Sequence, residues 1–344
     1  MDDDKNKQAH QRKDNHLDLA KQPLAKAAID HPFDSVHFHH YALPSLHLDK
    51  IDITTRFLSK KMDAPFFIGA MTGGTDRADA INRALAEVAQ SHNIGLALGS
   101  QRAGLSSGRD QSDLRKIAPD IPLIGNLGIT QLASPSGHDM ALRAIEAISA
   151  DAMAIHLNPL QEAVQPEGDH DWHHTEDALA SFIALSPVPV IIKEVGAGLH
   201  PDLVAKCHAM GAAYCDVAGL GGTNWTRIEA ARRDDNAPYV PFLDWGIPLD
   251  KALISARQTA ADCRLIASGG LRHGLDVAKS LALGADVACA AGPFLKTLEQ
   301  DDNSLDKAKL SEEIANWKLQ IRLACFLTNC EKPSLLSEKH ININ

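Results

Sequence analysis

The chain has 344 residues, a formal net charge of −10, 44% hydrophobic residues and only 5% aromatic residues. This length fits one large domain or two small ones, and the composition predicts an aliphatic core. The acidic charge argues against nucleic acid as the main partner, although it does not exclude a small anionic ligand. The sequence has no run of 18 apolar residues and begins with an acidic, polar segment. We therefore expect a cytoplasmic protein with no membrane partner.

Residues 1–50 are polar, rich in His and Lys, and lack sustained periodicity. They are predicted to form an N-terminal arm with one short helix near 17–28. The arm contains Arg12, Lys13 and His16. Composition alone favours a flexible, solvated terminus for such a segment. Composition therefore assigns no function to these three residues.

From residue 51 the chain alternates short apolar runs, glycine-rich turns and amphipathic helices. Segment 51–57 alternates apolar and polar residues, as an edge strand does. Apolar residues at helical spacing predict helices at 78–91, 141–149, 277–283 and 310–327. Eight strands are predicted between helices, at 66–70, 94–98, 122–125, 152–155, 188–192, 213–217, 265–267 and 287–290. This order favours a closed TIM (β/α)8 barrel over residues 51–330, with a doubly wound open sheet as the alternative.

Two further features complete this outline of the fold. Six cysteines, at positions 207, 215, 263, 289, 325 and 330, form no C-x-x-C pair. They are predicted to be small buried side chains of a reduced protein rather than zinc ligands or disulfides. Residues 331–344 are predicted to be a frayed tail.

Polar or glycine-rich residues follow most of the predicted strands. These segments read AMTGGT at 70–75, GSQR at 99–102, GNLG at 125–128 and KEVG at 193–196. Lys193 cannot remain buried and charged at the end of an apolar strand without an anionic or polar partner. Each segment alone is compatible with a plain turn. Together they predict a site, because the active site of a parallel barrel lies at the carboxyl ends of its strands.

The fourth strand ends in the most distinctive of these segments, IHLNPLQEAVQPEGD at 155–169. It places His156, Asn158, Gln161 and Glu162 directly after an apolar run. Its two prolines prevent the segment from continuing as a regular strand or an unbroken helix. Taken alone, it is also compatible with a hydrophilic loop.

The last three strands end in DVAGLGGTNW at 216–225, SGGLR at 268–272 and AAGPF at 290–294. The long loop after the sixth strand is typical of a lid or a binding element. Barrels often hold a phosphate between the loops that follow strands seven and eight. We therefore expect an anionic group to bind between the last two of these motifs.

These motifs resemble those of type 2 isopentenyl-diphosphate delta-isomerases, which are FMN-dependent barrel enzymes, over about residues 8–330. The most specific are Arg12-Lys13 with His16, MTGG at 71–74, SQR at 100–102, HLNPLQE at 156–162 and GGTNW at 221–225. The resemblance implies interconversion of isopentenyl and dimethylallyl diphosphate. It also implies FMN at the barrel mouth, Mg²⁺ on the substrate diphosphate, NADPH as the reductant of FMN, and a homo-oligomer (tetramer or octamer).

The resemblance further implies residue roles. Flavin contacts would come from Ala70, Met71, Thr72, Ser100, Asn126, Lys193 and Thr223, and phosphate contacts from Gly269, Gly270, Ala291 and Gly292. Substrate contacts would come from Arg12, Lys13, His16, Ser100, Arg102, Asn158 and Gln161, as the arm closes over the active site. Gln161 and His156 would be catalytic, and Glu162 would bind the metal. Ala218 departs from the family, which often has Ser there, and so removes one hydrogen bond to the cofactor.

Two alternatives remain open at this stage. The first is an FMN-dependent oxidoreductase of the 2-hydroxy-acid oxidase or inosinate dehydrogenase type on the same barrel. These enzymes use a His–Arg pair late in the barrel or a cysteine in a loop. Here Arg272 and His273 are adjacent but fall at a predicted helix start, and no cysteine lies in a glycine-rich strand-end loop. The second alternative is a non-enzymatic flavin-binding or scaffold protein, which predicts loss of the polar residues that this chain retains.

Overall fold

The computed structural model describes residues 17–26 and 28–344. Its strands are β1 (Val36–Phe38), β2 (Thr55–Phe57), β3 (Lys60–Met62), β4 (Phe66–Ile68), β5 (Leu96–Ala97), β6 (Leu123–Gly128), β7 (Ala152–His156), β8 (Val190–Lys193), β9 (Tyr214–Asp216), β10 (Leu265–Ala267), β11 (Val287–Ala290) and β12 (Ile341–Ile343). Strands β4 to β11 close into a parallel barrel in the order β10-β11-β4-β5-β6-β7-β8-β9. The predicted TIM (β/α)8 barrel is therefore confirmed, and the open sheet is excluded.

Helices alternate with the barrel strands and cover them. They are α1 (Asp76–Ser91), α2 (Arg102–Ser106), α3 (Asp113–Ile117), α4 (Ile129–Leu132), α5 (Gly137–Ile148), α6 (Pro159–Val164), α7 (Thr175–Leu185), α8 (Pro201–Ala209), α9 (Trp225–Ala231), α10 (Leu249–Thr259), α11 (Gly274–Ala282), α12 (Gly292–Leu298) and α13 (Lys307–Leu327). The four predicted helices correspond to α1, α5, α11 and α13. No helix in the described ranges is both long and apolar enough to cross a membrane.

The helices pack through the apolar stripes that predicted them. Along α1 the residues Ile81, Leu85 and Val88 are buried, and the Thr75 hydroxyl caps the helix by accepting from the Ala78 N–H at 3.1 Å. The Trp317 side chain of α13 is fully buried, with its ring centroid 4.6 Å from that of Phe294. All six cysteines are buried and free, as predicted.

The amino end of the barrel is closed by a β-hairpin of β2 and β3. Phe57 of β2 stacks on Phe67, inside the barrel, at a centroid distance of 5.0 Å. Leu58 and Ser59 form the two-residue turn, both at positive φ, which suits the twist of a tight hairpin. The prediction of an edge strand over 51–57 is therefore only partly correct. The strand covers Thr55–Phe57 and pairs in a separate two-stranded sheet, because a closed barrel has no edge to extend.

The two ends of the described chain pack against each other. Strand β12 pairs antiparallel with β1, and Ile341 lies opposite Phe38. Leu336 and Ile341 are buried, and so is Phe33 in the predicted arm. The prediction of a frayed C-terminal tail is wrong. The few apolar residues of this segment are spaced too irregularly to reveal a strand, and only pairing with a distant segment buries them.

We expect Ile341→Ala to lower the free energy of unfolding by about 2 kcal/mol, because it removes buried methyl groups from the β1–β12 contact. Ile341 is 7% exposed, whereas Ile343 of the same strand is 41% exposed. The control Ile343→Ala should therefore change stability by less than about 0.5 kcal/mol. Urea unfolding at unchanged m-value measures both variants. Equal losses in the two variants would show that burial of Ile341 does not stabilise the terminus.

Candidate active site

The parallel register of the barrel places polar residues from neighbouring strands side by side at its carboxyl end. Gly128 lies opposite His156, His156 opposite Lys193, and Lys193 opposite Asp216. Hydrogen bonding between strands sets this alignment, so the side chains at the strand ends converge on one rim. We call this rim, with the loops that leave it, the barrel mouth.

Asn126 and His156 form a fixed pair at the mouth. The Asn126 Oδ1 lies 2.7 Å from the His156 Nδ1, and the Asn126 Nδ2 donates to the Leu98 carbonyl at 3.0 Å. The Asn126 N–H donates to Oε1 of the buried Gln101 at 3.0 Å. Because the Asn126 oxygen accepts, His156 carries its proton on Nδ1 in this arrangement.

Lys193 and Asp216 lie in register on neighbouring strands at the mouth. Asp216 is 3% exposed and accepts a 2.6 Å hydrogen bond from the Ser268 hydroxyl and one of 3.3 Å from the Ala218 N–H. Burial raises the pKa of the Asp216 carboxyl, while the charge of Lys193 and the two hydrogen bonds act to lower it. Lys193 is half-buried, and its Nζ donates to the Glu194 carbonyl at 2.5 Å. The Lys193 ammonium thus has a polar partner, as its position requires.

Glu194 is a second buried carboxylate beside Lys193. Its Oε2 accepts from the backbone N–H groups of residues 195, 196, 197 and 198. Burial raises the pKa of this carboxyl, and these N–H groups and Lys193 oppose the rise. The Glu194 carboxylate therefore stabilises the conformation of the loop that contains the KEVG segment.

The HLNPLQE segment forms a polar network on the short helix α6. The Asn158 Nδ2 donates to the Glu162 Oε1 at 3.0 Å and to the Gln161 Oε1 at 3.2 Å. The Gln161 Nε2 donates to Oε1 of the buried Glu229 at 3.1 Å. The structure therefore brings the predicted residues Asn158, Gln161 and Glu162 together and fixes their orientation.

Asp169 links this network to two other loops of the mouth. Its N–H donates to the Glu162 Oε2 at 2.8 Å. Its Oδ2 accepts from the Gln131 Nε2 at 2.8 Å and from the Arg102 Nη1 at 3.4 Å. Arg102 is exposed and this bond is long, so its guanidinium can reach a ligand without disturbing a buried pair.

The glycine-rich loops after β9 and β10 pack backbone against backbone. Gly269 and Gly270 have φ of +108° and +98°. A Cβ on Gly270 would lie 2.3 Å from the Gly221 carbonyl carbon, so no larger residue fits. Gly292, at the start of α12, is different because an added Cβ would meet no atom within 4 Å. Space next to the backbone is therefore open at Gly292.

The first two strand-end loops pack in the same way. A Cβ on Gly99 would lie 2.5 Å from the Thr72 backbone, which holds the segments carrying Thr72 and Ser100 together. Ala70 and Met71 are partly exposed at the mouth, whereas Thr72 is buried. Thr223 is partly exposed after β9 and pairs with Lys26 of the arm in an isolated bridge.

Ion pairs and hydrogen bonds attach the described part of the arm to the mouth. The Asn224 N–H donates to the Ala25 carbonyl at 2.6 Å, and Lys21 pairs with the buried Glu299. Residues 17–20 are helical and Pro23–Ala25 form a 3₁₀ helix, so the predicted helix is shorter and broken. Arg12, Lys13 and His16 lie outside the described residues.

Four acidic residues of the mouth have contacts that sequence reasoning missed: Asp169, Asp216, Glu229 and Glu299. Asp216 had a recognisable signal, since it is an acidic residue at the end of an apolar strand. Glu299 had no such signal. Its role depends on Arg77 of α1, which is far away in sequence and whose Nε donates to the Glu299 carboxylate at 2.7 Å.

Residues 130–342 match the model of the FMN-dependent dehydrogenase family. The chain is also 44% identical over 326 residues to the isopentenyl-diphosphate delta-isomerase of Xanthobacter autotrophicus, covering 93% of this chain and 94% of the relative. The chain belongs to this isomerase family. The enzyme of the same name from Cronobacter sakazakii is 43% identical over 345 residues, covering 98% of each chain.

Solved structures show the fold. A soluble mutant of the (S)-mandelate dehydrogenase from Pseudomonas putida matches with a TM-score of 0.67 at 17% identity, covering 96% of this chain and 99% of that chain. A flavocytochrome b2 with sulfite bound matches with a TM-score of 0.69 at 16% identity, covering 95% and 82%. Sequence identities this low support only the barrel architecture. The chemistry has to be inferred from the residues of the site.

Proposed function

We propose that the protein interconverts isopentenyl diphosphate and dimethylallyl diphosphate, using FMN bound at the barrel mouth. The observation that carries the proposal is the joint presence of two sets of residues at that mouth. One set consists of the glycine-rich loops, which suit a flavin phosphate, and of Lys193, which suits the flavin ring. The other is the Asn158, Gln161 and Glu162 network suited to a diphosphate substrate. Family membership over nearly the whole chain supports both assignments.

The residues at the mouth fit FMN. The backbone space at Gly292, next to the close-packed Gly269 and Gly270, suits a phosphate group, with Ala291 beside it. Ala70, Met71, Thr72, Ser100, Asn126, Lys193 and Thr223 would surround the isoalloxazine. Ala218 has a φ of +39° and no hydroxyl, so it offers the cofactor no side-chain hydrogen bond. Neighbouring groups must hold the ring without it.

When bound, reduced flavin would supply an acid–base nitrogen for moving a proton between two carbons of the substrate, and NADPH would serve as its reductant. The protein's own residues bind and orient. The side chain of Gln161 is held in place by its hydrogen bond to Glu229. A group that contacts a transition state must be oriented in this way. His156 is held through Nδ1 by Asn126, which orients its ring at the mouth.

The substrate diphosphate is anionic and needs positive charges beside it. We propose that Mg²⁺ and basic residues of the arm provide them. No group of three or more potential metal-binding side chains exists within residues 17–26 and 28–344. A single carboxylate, Glu162, suits Mg²⁺, which keeps waters and takes further ligands from phosphates. Arg102, and Arg12, Lys13 and His16 of the arm, would contact the phosphate oxygens.

The hydroxy-acid oxidase alternative has weaker support in the structure. The Arg272 guanidinium is already held by Asp276 at 3.0 Å and Asp34 at 2.8 Å. His273 caps α11 by accepting from the Asp276 N–H at 3.3 Å. Both side chains of this Arg–His pair are therefore engaged within the protein, whereas oxidation of a hydroxy acid requires them to contact the substrate. Cytoplasmic location and a tetrameric or octameric assembly remain predictions.

The direct test incubates the protein with isopentenyl diphosphate, FMN, Mg²⁺ and NADPH without oxygen, and identifies the product by NMR. We expect dimethylallyl diphosphate, and the reverse reaction from that product. Omission of FMN is the control. No isomerisation in either direction by protein that has bound FMN would refute the proposal.

Gly292→Ala tests the phosphate position. The apoprotein should unfold at the same temperature or slightly higher, because the new methyl group meets no atom and alanine favours a helix. FMN affinity should fall by about tenfold or more, since the methyl group would occupy the phosphate space. Gly104→Ala is the matched control, a helix glycine whose added Cβ makes only an ordinary contact 3.9 Å from Gln111. Unchanged FMN affinity in Gly292→Ala would place the phosphate elsewhere.

Glu162→Gln tests the metal role. We expect the Mg²⁺ concentration for half-maximal activity to rise by about tenfold or more and turnover to fall, while FMN content stays the same, because the amide cannot replace an anionic ligand. The control is Glu176→Gln, which removes a carboxylate of an exposed pair with Lys206. An Mg²⁺ dependence identical to that of the parent protein would exclude Glu162 as the metal ligand.

Arg12→Ala tests the arm. A charge-assisted bond to the diphosphate contributes about 1.5–3 kcal/mol, so catalytic efficiency should fall roughly 10- to 150-fold with FMN content unchanged. The matched control is Lys7→Ala, which removes a positive charge from the same arm outside the motif. Steady-state kinetics measures both variants. If Arg12→Ala keeps the catalytic efficiency of the parent protein, the first residues are a dispensable terminus.

A further inference from the structure

Gln101 has no assigned role in the proposed function, although it lies between Ser100 and Arg102 in the SQR motif. Its side chain is buried at 1% exposure, whereas Arg102 is exposed at the mouth. Both the oxygen and the nitrogen of the Gln101 amide are hydrogen-bonded within the protein. The amide therefore lies behind the mouth and does not contact a ligand that binds there.

The Gln101 amide takes the place of a missing strand residue beside β6. Strand β5 ends at Ala97, whereas β6 continues to Gly128, so the last part of β6 has no β5 residue beside it. The Gln101 N–H donates to the Asn126 carbonyl at 2.9 Å, and the Gln101 Oε1 accepts from the Asn126 N–H at 3.0 Å. These two hydrogen bonds extend the ladder of the parallel sheet by one step. The backbone of Asn126 is thereby held at both its N–H and its carbonyl group.

The orientation of the Gln101 amide is fixed from its other side as well. Its Nε2 donates to the Ala144 carbonyl at 3.0 Å and to Oε1 of the buried Gln111 at 3.2 Å. Because the nitrogen donates and the oxygen accepts, only one of the two amide orientations satisfies both the Ala144 carbonyl and the Asn126 N–H. Gly125 leaves the space that the amide needs, since a Cβ there would lie 2.9 Å from the Gln101 Oε1.

The same chain of hydrogen bonds continues from Asn126 to His156. The Asn126 Oδ1 lies 2.7 Å from the His156 Nδ1, and the Asn126 Nδ2 donates to the Leu98 carbonyl at 3.0 Å. The Leu98 carbonyl thus fixes which end of the Asn126 amide faces the histidine. A neutral imidazole can hold its proton on either nitrogen, and the facing oxygen selects Nδ1. The position of Asn126 therefore sets both the orientation of the His156 ring and the place of its proton.

We propose that Gln101 is a positioning residue, which fixes through Asn126 the orientation and the proton position of His156 at the mouth. This inference rests on the proposed function, in which His156 is a catalytic residue. Displacement of a catalytic group by about 1 Å can lower the rate roughly 100-fold, so a buried amide that holds such a group affects turnover without contacting substrate. If Gln101 only completed the sheet, the proton position of His156 would not depend on it.

Gln101→Met tests the proposal, because it keeps the length of the side chain and removes both hydrogen-bonding groups. NMR of protein labelled with ¹⁵N at histidine shows which nitrogen of each ring carries the proton, and a His156→Gln variant identifies the His156 signals. At about pH 8.5, where an imidazole of ordinary pKa (about 6.5) is neutral, the parent protein should show His156 protonated on Nδ1. Gln101→Met should raise the fraction protonated on Nε2 by about threefold or more, since the hydrogen bond that selects Nδ1 is weakened.

Steady-state kinetics of the FMN-saturated protein gives the second readout. Turnover of Gln101→Met should fall about tenfold or more. The KM for isopentenyl diphosphate should change by less than about threefold, because the amide does not contact substrate. The matched control is Gln111→Met, which removes a buried amide from the same cluster and leaves the bond between Gln101 and Asn126 in place. It should keep the proton position of the parent protein and its turnover within about threefold.

Gln101→Ala is a second variant, chosen because its smaller side chain leaves a polar space that water can enter, which protects the fold. It should change the proton position and the turnover in the same direction as Gln101→Met.

A shifted proton position and a lowered turnover in the Gln101 variants, but not in Gln111→Met, support the proposal. An unchanged proton position in a folded Gln101 variant overturns it, and so does a raised KM at unchanged turnover. If neither Gln101 variant folds, Gln101 is a structural residue and the proposal is wrong. A parent protein that does not isomerise its substrate would refute the proposed function, whereas the NMR measurement still decides whether Gln101 positions His156.

Discussion

The hydrogen-bonded register of the closed parallel barrel is the constraint on which the rest of the structure depends. It places His156, Lys193 and Asp216 opposite one another on three consecutive strands. A shift of one residue in any strand would turn its rim side chain to the other face of the sheet. The hairpin of β2 and β3 closes the opposite end, where Phe57 stacks on Phe67. Polar chemistry is thereby confined to one end of an otherwise apolar cylinder.

The loops that leave this rim belong to the site, because they donate hydrogen bonds to the carboxyl groups that are buried there. Glu162, Glu194 and Asp216 are all buried, and each is stabilised by donors from a loop or helix start. A buried carboxylate without such donors would carry a large desolvation penalty. The same donors hold the carboxylates in fixed positions, which is the preorganisation that an active site requires.

Residues 31–38 of the arm and strand β12 connect the mouth to the outer wall of the barrel. Strand β12 pairs with β1, the Lys279 Nζ donates to the Phe33 carbonyl at 2.7 Å, and the His31 Nε2 lies 2.6 Å from the Gly270 carbonyl. The C-terminal segment therefore supports the part of the arm that contains β1. This arrangement gives the arm a firm base at the rim, close to the glycine-rich loops.

The sequence by itself determined the barrel and most of the rim. Apolar runs and helical stripes are local patterns, so eight strands and the main helices could be predicted, as could the strand-end residues Asn158, Gln161, Glu162 and Lys193. Tertiary structure decided what depends on distant partners. The burial of Leu336 and Ile341 in the C-terminal segment requires β1, the shape of 51–57 requires closure of the barrel, and the partner of Gln161 is Glu229. Local sequence cannot encode such contacts visibly, because each joins segments that become neighbours only when the sheet closes.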